Sequence, residues 1–563
     1  VPPGEPGGRC YRGPDMAIPI LLFVIAFVVR VAVAALFVEP AYPDALYYAN
    51  LGRELAASGG FSVDYIWNFV EVGGTLPAEG ELPIPSNAHW MPLAALIQVP
   101  SIWLLGPTAT AAALPFWLLA AATSPLTWFI GRDAGVSAAG AVAAALLVAV
   151  PAAVSPFLGQ PDNFAPYMFL GALALWLCGR GLRGHRRSFA AGGLVVGLAF
   201  LSRNDGVLLS VPFGLAFLYD LMRKPRLSRI GWGPALAFAG GAVLVVAPWL
   251  LRQLAVFGSL SPSSAGGRIL FITEYRELYS VSSDTSLGAF LDQGLAAIVD
   301  SRVEGLLDAL LIFVTMPLMA LLVPLLLVGV WVSRRSRDFT PWIIYTITLF
   351  AFTALVSAVH VPYGTFIHSA VALLPHAYLL VMVGLAAVVG WIAARRAHWN
   401  AERATRNLGF MLVGVIAVVS VLATRNTIET WTEERDGRTE VLAALAEQAD
   451  PDDVLMSSDA GAYQYHGDWA GIVTPDDPLP VIEDALRLYG VRWLALEGAH
   501  TVEALQPVIR GEERPPWLSR PIVLTPPRPR TEQEIASGAN QDPPPRAALY
   551  AVCLEPGDER CEP

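Results

Sequence analysis

The sequence predicts an α-helical polytopic membrane protein of about eleven spans, with juxtamembrane helices in its first outer loop and a small C-terminal α/β domain. Three observations carry this expectation. Of 563 residues, 54% are hydrophobic and only 15% are charged, with a mean hydropathy of +0.50, which does not describe a soluble surface. The apolar residues are gathered in runs long enough to cross a bilayer, which takes about 20 residues each. Arginines fill every second connection between those runs, the pattern of short basic loops held in the cytoplasm. A water-facing enzyme and a single-anchor protein are excluded. The net charge of −11 argues against nucleic acid as a partner, because a phosphate backbone is met by clustered, exposed Lys and Arg.

Taken in order, residues 1–16 are rich in Pro and Gly and read as an N-terminal tail. The run Ala17 to Val38 is too long for a signal-peptide core and lacks a small-residue cleavage site after it, so it reads as a retained first span. Further runs fall at 109–131, 135–151, 163–178, 188–202, 206–221, 232–250, 306–332, 341–359, 366–394 and 407–424. The stretch Met91 to Leu105, flanked by Trp90 and Trp103, is too short to cross and reads as a helix lying in the outer interface. One more crossing there would invert every later loop. Basic groups at Arg132, Arg180 to Arg187, Arg223 to Arg229, Arg334 to Arg337 and Arg395 to Arg406 then put the N-terminus in the cytoplasm of a cell membrane. The first outer loop, 39–108, faces out. Up to residue 90 it carries Arg53 alone against Glu39, Asp44, Glu54, Asp64, Glu71, Glu79 and Glu81.

The membrane unit thus covers 17–424. Residues 425–563 change character, with short strand-like runs at Val454 to Met456, Gly471 to Val473, Trp493 to Leu496 and Leu549 to Leu554 and a helical pattern at Ile482 to Tyr489. This predicts an extracytoplasmic α/β domain, with Arg510 to Pro545 as loop. The two halves of the chain show no duplication of the kind secondary transporters carry. The four cysteines form no metal-spaced cluster. Cys553 and Cys561 can pair if that end meets an oxidising compartment.

The chemistry concentrates just outside the first span, at Glu39-Pro40-Ala41-Tyr42-Pro43-Asp44-Ala45-Leu46-Tyr47-Tyr48. Asp44 after Pro43 has two readings: a helix N-cap, or a carboxylate fixed at the bilayer surface that takes a proton from an incoming hydroxyl. Spacing alone does not choose. Asp162, in Gly159-Gln160-Pro161-Asp162-Asn163, has the same pair of readings. Arg203 and Arg252 lie at outer ends of spans, where a guanidinium fork holds lipid phosphate or snorkels to headgroups. Arg268, His360 and His368 are lesser candidates, and Arg30 is an intramembrane charge. Trp67, Trp90, Trp103 and Trp431 suit membrane anchoring or stacking on a sugar ring.

The segment Pro43-Asp44-Ala45-Leu46-Tyr47-Tyr48 with Gly59-Gly60-Phe61 resembles the opening of the GT-C superfamily, the integral membrane glycosyltransferases that use polyprenyl-phosphate sugars. His89-Trp90-Met91-Pro92-Leu93 stands where aminoarabinose transferases and protein O-mannosyltransferase relatives have a Lys-Pro-Pro-Leu type segment. Gly197-Leu198-Ala199-Phe200-Leu201-Ser202-Arg203 and Pro248-Trp249-Leu250-Leu251-Arg252 are similar to two further elements of that superfamily. The resemblance spans most of 17–400 and implies an inverting transfer from a polyprenyl-phosphate sugar to an acceptor hydroxyl outside the membrane. It implies Asp44 as catalytic base, with Asp162, Arg203, Arg252, His89, Tyr47 and His368 as substrate-binding candidates. His89 departs from the commoner Lys or Glu, and His368 stands near where some relatives carry Arg. No cofactor is required, though a divalent metal is possible with Asp44 and Asp162; there is no Gly-rich phosphate loop after a strand. Partners would be the lipid donor, membrane lipids and a protein, lipid or glycan acceptor. Three competing readings remain open: an oligosaccharide transferase or polymerase with a pyrophosphate-linked donor, a lipid or solute transporter with essential charges deep in its spans, and a scaffold in which Asp44 affects stability alone. The C-terminal Asp459-Ala460-Gly461-Ala462-Tyr463-Gln464-Tyr465-His466 resembles the exported domains of such transferases.

Overall fold

A computed structural model describes residues 16–222, 230–261, 270–358, 365–396, 399–498, 500–527 and 543–554. Among these, six helices are long and apolar enough to cross a membrane, or seven if the bent pair after residue 138 forms one span. The chain is a multi-pass membrane protein. Helix α1 (Ala17–Ala34) is followed by α2 (Pro43–Ala57), the two-residue strands β1 (Ser62–Val63), β2 (Tyr65–Ile66) and β3 (Ile84–Pro85), and the short helices α3 (Leu93–Leu96) and α4 (Val99–Leu105). The short helical stretch expected at 91–105 is therefore present, broken once. Trp103, 69% exposed, lies on it.

The membrane unit continues with α5 (Ala109–Asp133), α6 (Ala138–Ala149), α7 (Phe164–Leu182), α8 (Arg186–Ser202), α9 (Ser210–Leu221) and α10 (Trp232–Phe257). After α6 the path turns by 47° into residues 152–159. Arg30 holds this break. From α1 its guanidinium donates to the Ala149 carbonyl at 2.5 Å and to the Ser155 carbonyl at 2.6 Å, so the intramembrane charge satisfies carbonyls that the broken helix leaves without amide partners. Small residues set close crossings: a Cβ on Gly193 of α8 would lie 1.9 Å from the Phe238 carbonyl of α10. That is the close backbone approach expected where lipid supplies no hydrophobic drive.

Next come α11 (Leu287–Asp292), α12 (Gly294–Thr315), α13 (Val323–Ser333), α14 (Thr340–Leu355), α15 (Thr365–Ala370), α16 (Leu374–Ala393) and α17 (Ala401–Gln448). The apolar run 306–332 is divided between α12 and α13, with Met319 and Ala320 at positive φ between them. The last apolar run, 407–424, is one part of α17, whose 48 residues continue through residue 425 into the C-terminal unit.

That unit comprises β4 (Val454–Ser457), α18 (Ala460–Gly467), β5 (Gly471–Val473), α19 (Leu479–Leu488), β6 (Val491–Glu497), α20 (Gln506–Ile509), β7 (Val523–Leu524) and β8 (Ala547–Ala551). Its strands form a six-stranded sheet in the order β2-β5-β4-β6-β8-β7, with β2 supplied by the segment between α2 and α3. Tyr65 pairs with Gly471 and Ile66 with Ile472, in parallel. That segment is thereby tied to the C-terminal unit, and α2 packs on α18: Leu46 and Ala49 share a buried cluster with Ala462 and Tyr465, Asn50 Nδ2 donates to the Gly461 carbonyl at 2.8 Å, and Arg53 donates to the Tyr465 carbonyl at 2.9 Å. Cys553 is disulfide-bonded; Cys561, its expected partner, lies outside the described residues.

Candidate active site

The site is built at the first turn of α2. Tyr42 is its N-cap, in an extended conformation, and Pro43 occupies the first helical turn, where a missing amide proton costs nothing. Asp44 follows inside the first turn, beyond the N-cap position. Its carboxylate faces His368 of α15, with Oδ2 3.5 Å from Nε2. Asp162 also leaves the capping role to its neighbour, since the N-cap of α7 is Asn163. Instead its Oδ2 accepts from the Tyr42 hydroxyl at 2.9 Å and lies 2.8 Å from His368 Nε2, and its Oδ1 accepts the Asn163 amide at 2.5 Å. The Phe164 ring, with its centroid 4.0 Å away, covers the imidazole. Two acids and a histidine from three separate parts of the chain thus meet, their donor atoms all within 4.8 Å of one another.

The two acids sit in opposite electrostatic settings. Burial and the neighbouring Asp162 charge push the Asp44 carboxyl up to about 7, with His368 and Arg203 offsetting part of the rise. Asp162 also feels burial, but the His368 charge and hydrogen bond, the Asn163 amide and the Tyr42 hydroxyl together hold it below the usual carboxylate range. Asp162 is fully buried, whereas the Asp44 side chain keeps 22% of its surface exposed. Paired acids pushed apart in this way suit a division of roles: one exchanges a proton near neutrality, the other stays ionised and holds a partner.

Arg203 closes the end of α8. Its Nε donates to Asp205 Oδ1 at 3.1 Å and to Ser369 Oγ at 3.0 Å, one residue beyond His368, and Nη2 donates to the Thr365 carbonyl at 3.3 Å. The structure therefore joins Asp44, Asp162, His368 and Arg203. Arg252 of α10, Tyr47 of α2 and the loop residue His89 belong to a second group around residues 86–90. Arg252 donates to the Ser86 carbonyl at 2.8 Å and stacks within 5.3 Å of Phe61, Trp249 and Phe257. The Tyr47 hydroxyl accepts the Asn87 amide at 2.7 Å. His89 packs beside the Trp67–Trp90 pair, with ring centroids 5.5 and 5.0 Å away. Arg268 and His360 lie outside the described residues. Sequence reasoning missed Tyr42, Asn163 and Ser369. Their adjacency to Asp44, Asp162 and His368 was the one available signal.

Residues 88–251 match the family model for dolichyl-phosphate-mannose-protein mannosyltransferase. No curated protein matches the chain. Among solved structures the chain is similar to ArnT from Cupriavidus metallidurans in the apo state, with a TM-score of 0.51, 13% identity and coverage of 96% of this chain and 98% of that one. ArnT from the same organism bound to undecaprenyl phosphate matches with a TM-score of 0.47 and 14% identity over 98% and 100%. The Archaeoglobus fulgidus oligosaccharyltransferase in the apo form matches with a TM-score of 0.45 and 12% identity over 85% and 69%. Residues 88–251 thus match a mannosyltransferase family model, and the chain as a whole shares the fold of ArnT.

Proposed function

We propose that this chain transfers one sugar, with inversion, from a polyprenyl-phosphate-linked donor to an acceptor hydroxyl on the outer side of the cell membrane. The observation that carries the reading is the alignment of Asp44 with the His368–Asp162 pair. Asp44 Oδ2 takes the acceptor's proton as the acceptor oxygen bonds to the anomeric carbon. The bond from that carbon to the phosphate oxygen breaks on the opposite face, and prenyl phosphate leaves with the electron pair. Arg203 meets the charge that grows on the phosphate, an interaction whose removal costs several kcal/mol in comparable cases. His368, held by Asp162, keeps positive charge beside Asp44 and so favours the ionised base. Arg252 and Tyr47 act at one remove, by fixing the loop that carries His89.

Arginine-rich connections after every second apolar run of the sequence and the disulfide at Cys553 support an outward-facing site. The three donors Asp44, Asp162 and His368 have a spacing and chemistry that fit one divalent cation, which would supply Lewis-acid stabilisation of the leaving phosphate. The Asp162 oxygens are already engaged by Tyr42, His368 and Asn163, and our reading needs no cation.

The test is native mass spectrometry of the protein released from its own membranes. A glycosylated prenyl phosphate, retained in Asp44→Asn and lost in Arg203→Ala, is expected. A prenyl pyrophosphate would assign the oligosaccharide-transferase reading instead, and ordinary phospholipids alone, unchanged by either substitution, would overturn the proposal.

A further inference from the structure

Arg203 reaches the site with a counter-charge already attached. Helix α8 ends at Ser202, Arg203 is extended, and the chain continues in the short 3-10 helix Asn204–Leu209. The reversal is tight: the Gly206 amide donates to the Arg203 carbonyl at 2.9 Å, and a Cβ on Gly206 would lie 2.5 Å from the Ala199 backbone. Asp205 is thereby folded back beside the arginine. An acid in the first turn of a helix is ordinarily explained by the free amides there, but the oxygens of Asp205 are used otherwise. Oδ1 accepts from Arg203 Nε at 3.1 Å, and Oδ2 accepts from the Ser369 hydroxyl, whose oxygen itself accepts from Arg203 Nε at 3.0 Å.

The ring of three side chains is closed and largely buried: Arg203 keeps 12% of its side-chain surface, Asp205 keeps 11%, and Ser369 is buried. Thr365, whose carbonyl accepts from Arg203 Nη2, and Ser369 stand at i and i+4 on α15, with His368 beside them on the same face. One short helix therefore holds both the arginine and the histidine that faces Asp44. Among the described residues Nη1 forms no hydrogen bond, so that end of the guanidinium remains for a ligand. The groups brought together are three carboxyls, Asp44, Asp162 and Asp205, against one guanidinium and one imidazole. A carboxylate bonded to an arginine repels the anion that the arginine attracts, and in a partly buried site that repulsion is weakly screened. A sugar phosphate joined to a prenyl chain is a singly charged phosphodiester. A pyrophosphate link carries a second charge and meets the repulsion twice.

We infer that Asp205 is a specificity-determining residue: paired with Arg203, it sets the charge of the phosphate subsite so that a prenyl phosphate is accepted and a prenyl pyrophosphate is disfavoured. The inference rests on the proposed transferase reading and deepens it by giving one residue the choice between the two classes of lipid donor. It assigns Asp205 no contact with the reacting atoms. Its effect is exerted through the charge that it places beside Arg203.

The experiment titrates the full-length protein, in EDTA, with farnesyl phosphate and with farnesyl diphosphate, two prenyl probes that differ by one phosphate. Kd values are compared for the wild type, Asp205→Asn, Asp205→Ser and Asp205→Glu, with thermal unfolding as the check that each variant folds; either neutral variant suffices. The wild type should bind the monophosphate more tightly. In the neutral variants the ratio of the two Kd values should move toward the diphosphate by about fivefold or more, while Asp205→Glu, which keeps the charge, should stay within about twofold of wild type. A ratio unchanged in a folded neutral variant, with the monophosphate still bound by the wild type, overturns the role of Asp205 and leaves the transferase reading intact. A shift in Asp205→Glu as large as in Asp205→Asn also overturns it, because shape and not charge would then be the cause. A wild type that prefers the diphosphate overturns the inference and favours the pyrophosphate-linked donor. If the wild type binds neither probe, the transferase reading falls and this inference falls with it.

Discussion

His368 Nε2 lies 2.8 Å from Asp162 Oδ2, although the two residues are 206 positions apart in the chain. The contact ties the loop before α7 to the start of α15, and it presents the same ring nitrogen to Asp44 at 3.5 Å. A buried carboxylate of this kind orients its histidine and favours its charged form, which under the proposed function leaves Asp44 to act on substrate.

Replacing Asp44 with Asn should therefore abolish transfer, by about a thousandfold, the range typical of a lost general base, while donor binding survives. Measuring turnover and retained lipid on the same preparation checks both halves. A stability effect accompanies it. The folded-state carboxyl is raised, to about 7, so its contribution to stability is present below the unfolded value and is lost as pH rises through about 7. Asp44→Asn removes that penalty and should unfold at a higher temperature than the wild type at pH 8, with no such gain at pH 4. Equal melting temperatures at pH 8 would show that the ionised carboxylate is not strained.

The pH profile of transfer carries the same sign. Activity should rise as Asp44 loses its proton, with a midpoint near the value of about 7 to which burial and Asp162 push it. Because the charge of His368 holds that value down, His368→Gln should move the rising limb to higher pH as well as lowering its plateau. A limb that stays in place would separate His368 from the base.

Asp162 and Tyr42 should differ in severity. Asp162→Asn leaves His368 without its charged partner and should cost about a hundredfold in turnover. Tyr42→Phe removes one of the three hydrogen bonds to the carboxylate and should cost about 1 kcal/mol of stability, with turnover within tenfold of wild type. Steady-state kinetics and thermal unfolding of the two variants decide the order.

Chelation addresses the spacing that also fits a cation. Because Tyr42, His368 and Asn163 already engage the Asp162 oxygens, transfer should survive extensive treatment with EDTA. Loss of activity restored by added Mn2+ would reassign Asp44, Asp162 and His368 to a metal site.

Much of this was legible in the sequence, and the rest depended on packing that sequence patterns do not report. Asp44 and Asp162 stood out because acids beside membrane spans are conspicuous. Their meeting through His368 was not legible, since it depends on where α15 docks against α7. Arg252 looked like Arg203 in the sequence, both ending apolar helices, yet three aromatic rings and the Ser86 carbonyl occupy it. The division of run 306–332 was hidden for a simple reason: hydropathy stays high through Met319 and Ala320 while the backbone turns. A two-residue strand such as β2 has no periodicity to detect, so the pairing of Tyr65 with Gly471 could not be read. The continuation of α17 beyond 424 coincides with a change from apolar to mixed composition, which marks where a helix leaves lipid and says nothing about where it ends.

The last prediction concerns how the C-terminal unit reaches the site. Arg438 of α17 is buried and donates to Glu497 at the end of β6 at 2.9 Å and to Asp459, the N-cap of α18, at 3.3 Å. From α18 the path continues to α2 through Gly461 and Asn50, six residues along the helix from Asp44. Removing Arg438 would leave two buried carboxylates without their counter-charge, a loss that costs about 3–5 kcal/mol where one partner of a buried pair is deleted. Arg438→Leu should therefore unfold the C-terminal unit at lower temperature, and the double variant Arg438→Leu with Glu497→Leu should recover part of that loss because one stranded charge is gone. If α18 positions α2, the single variant should also lower turnover without raising the acceptor KM. A destabilised protein with normal turnover would confine Arg438 to holding its own domain together.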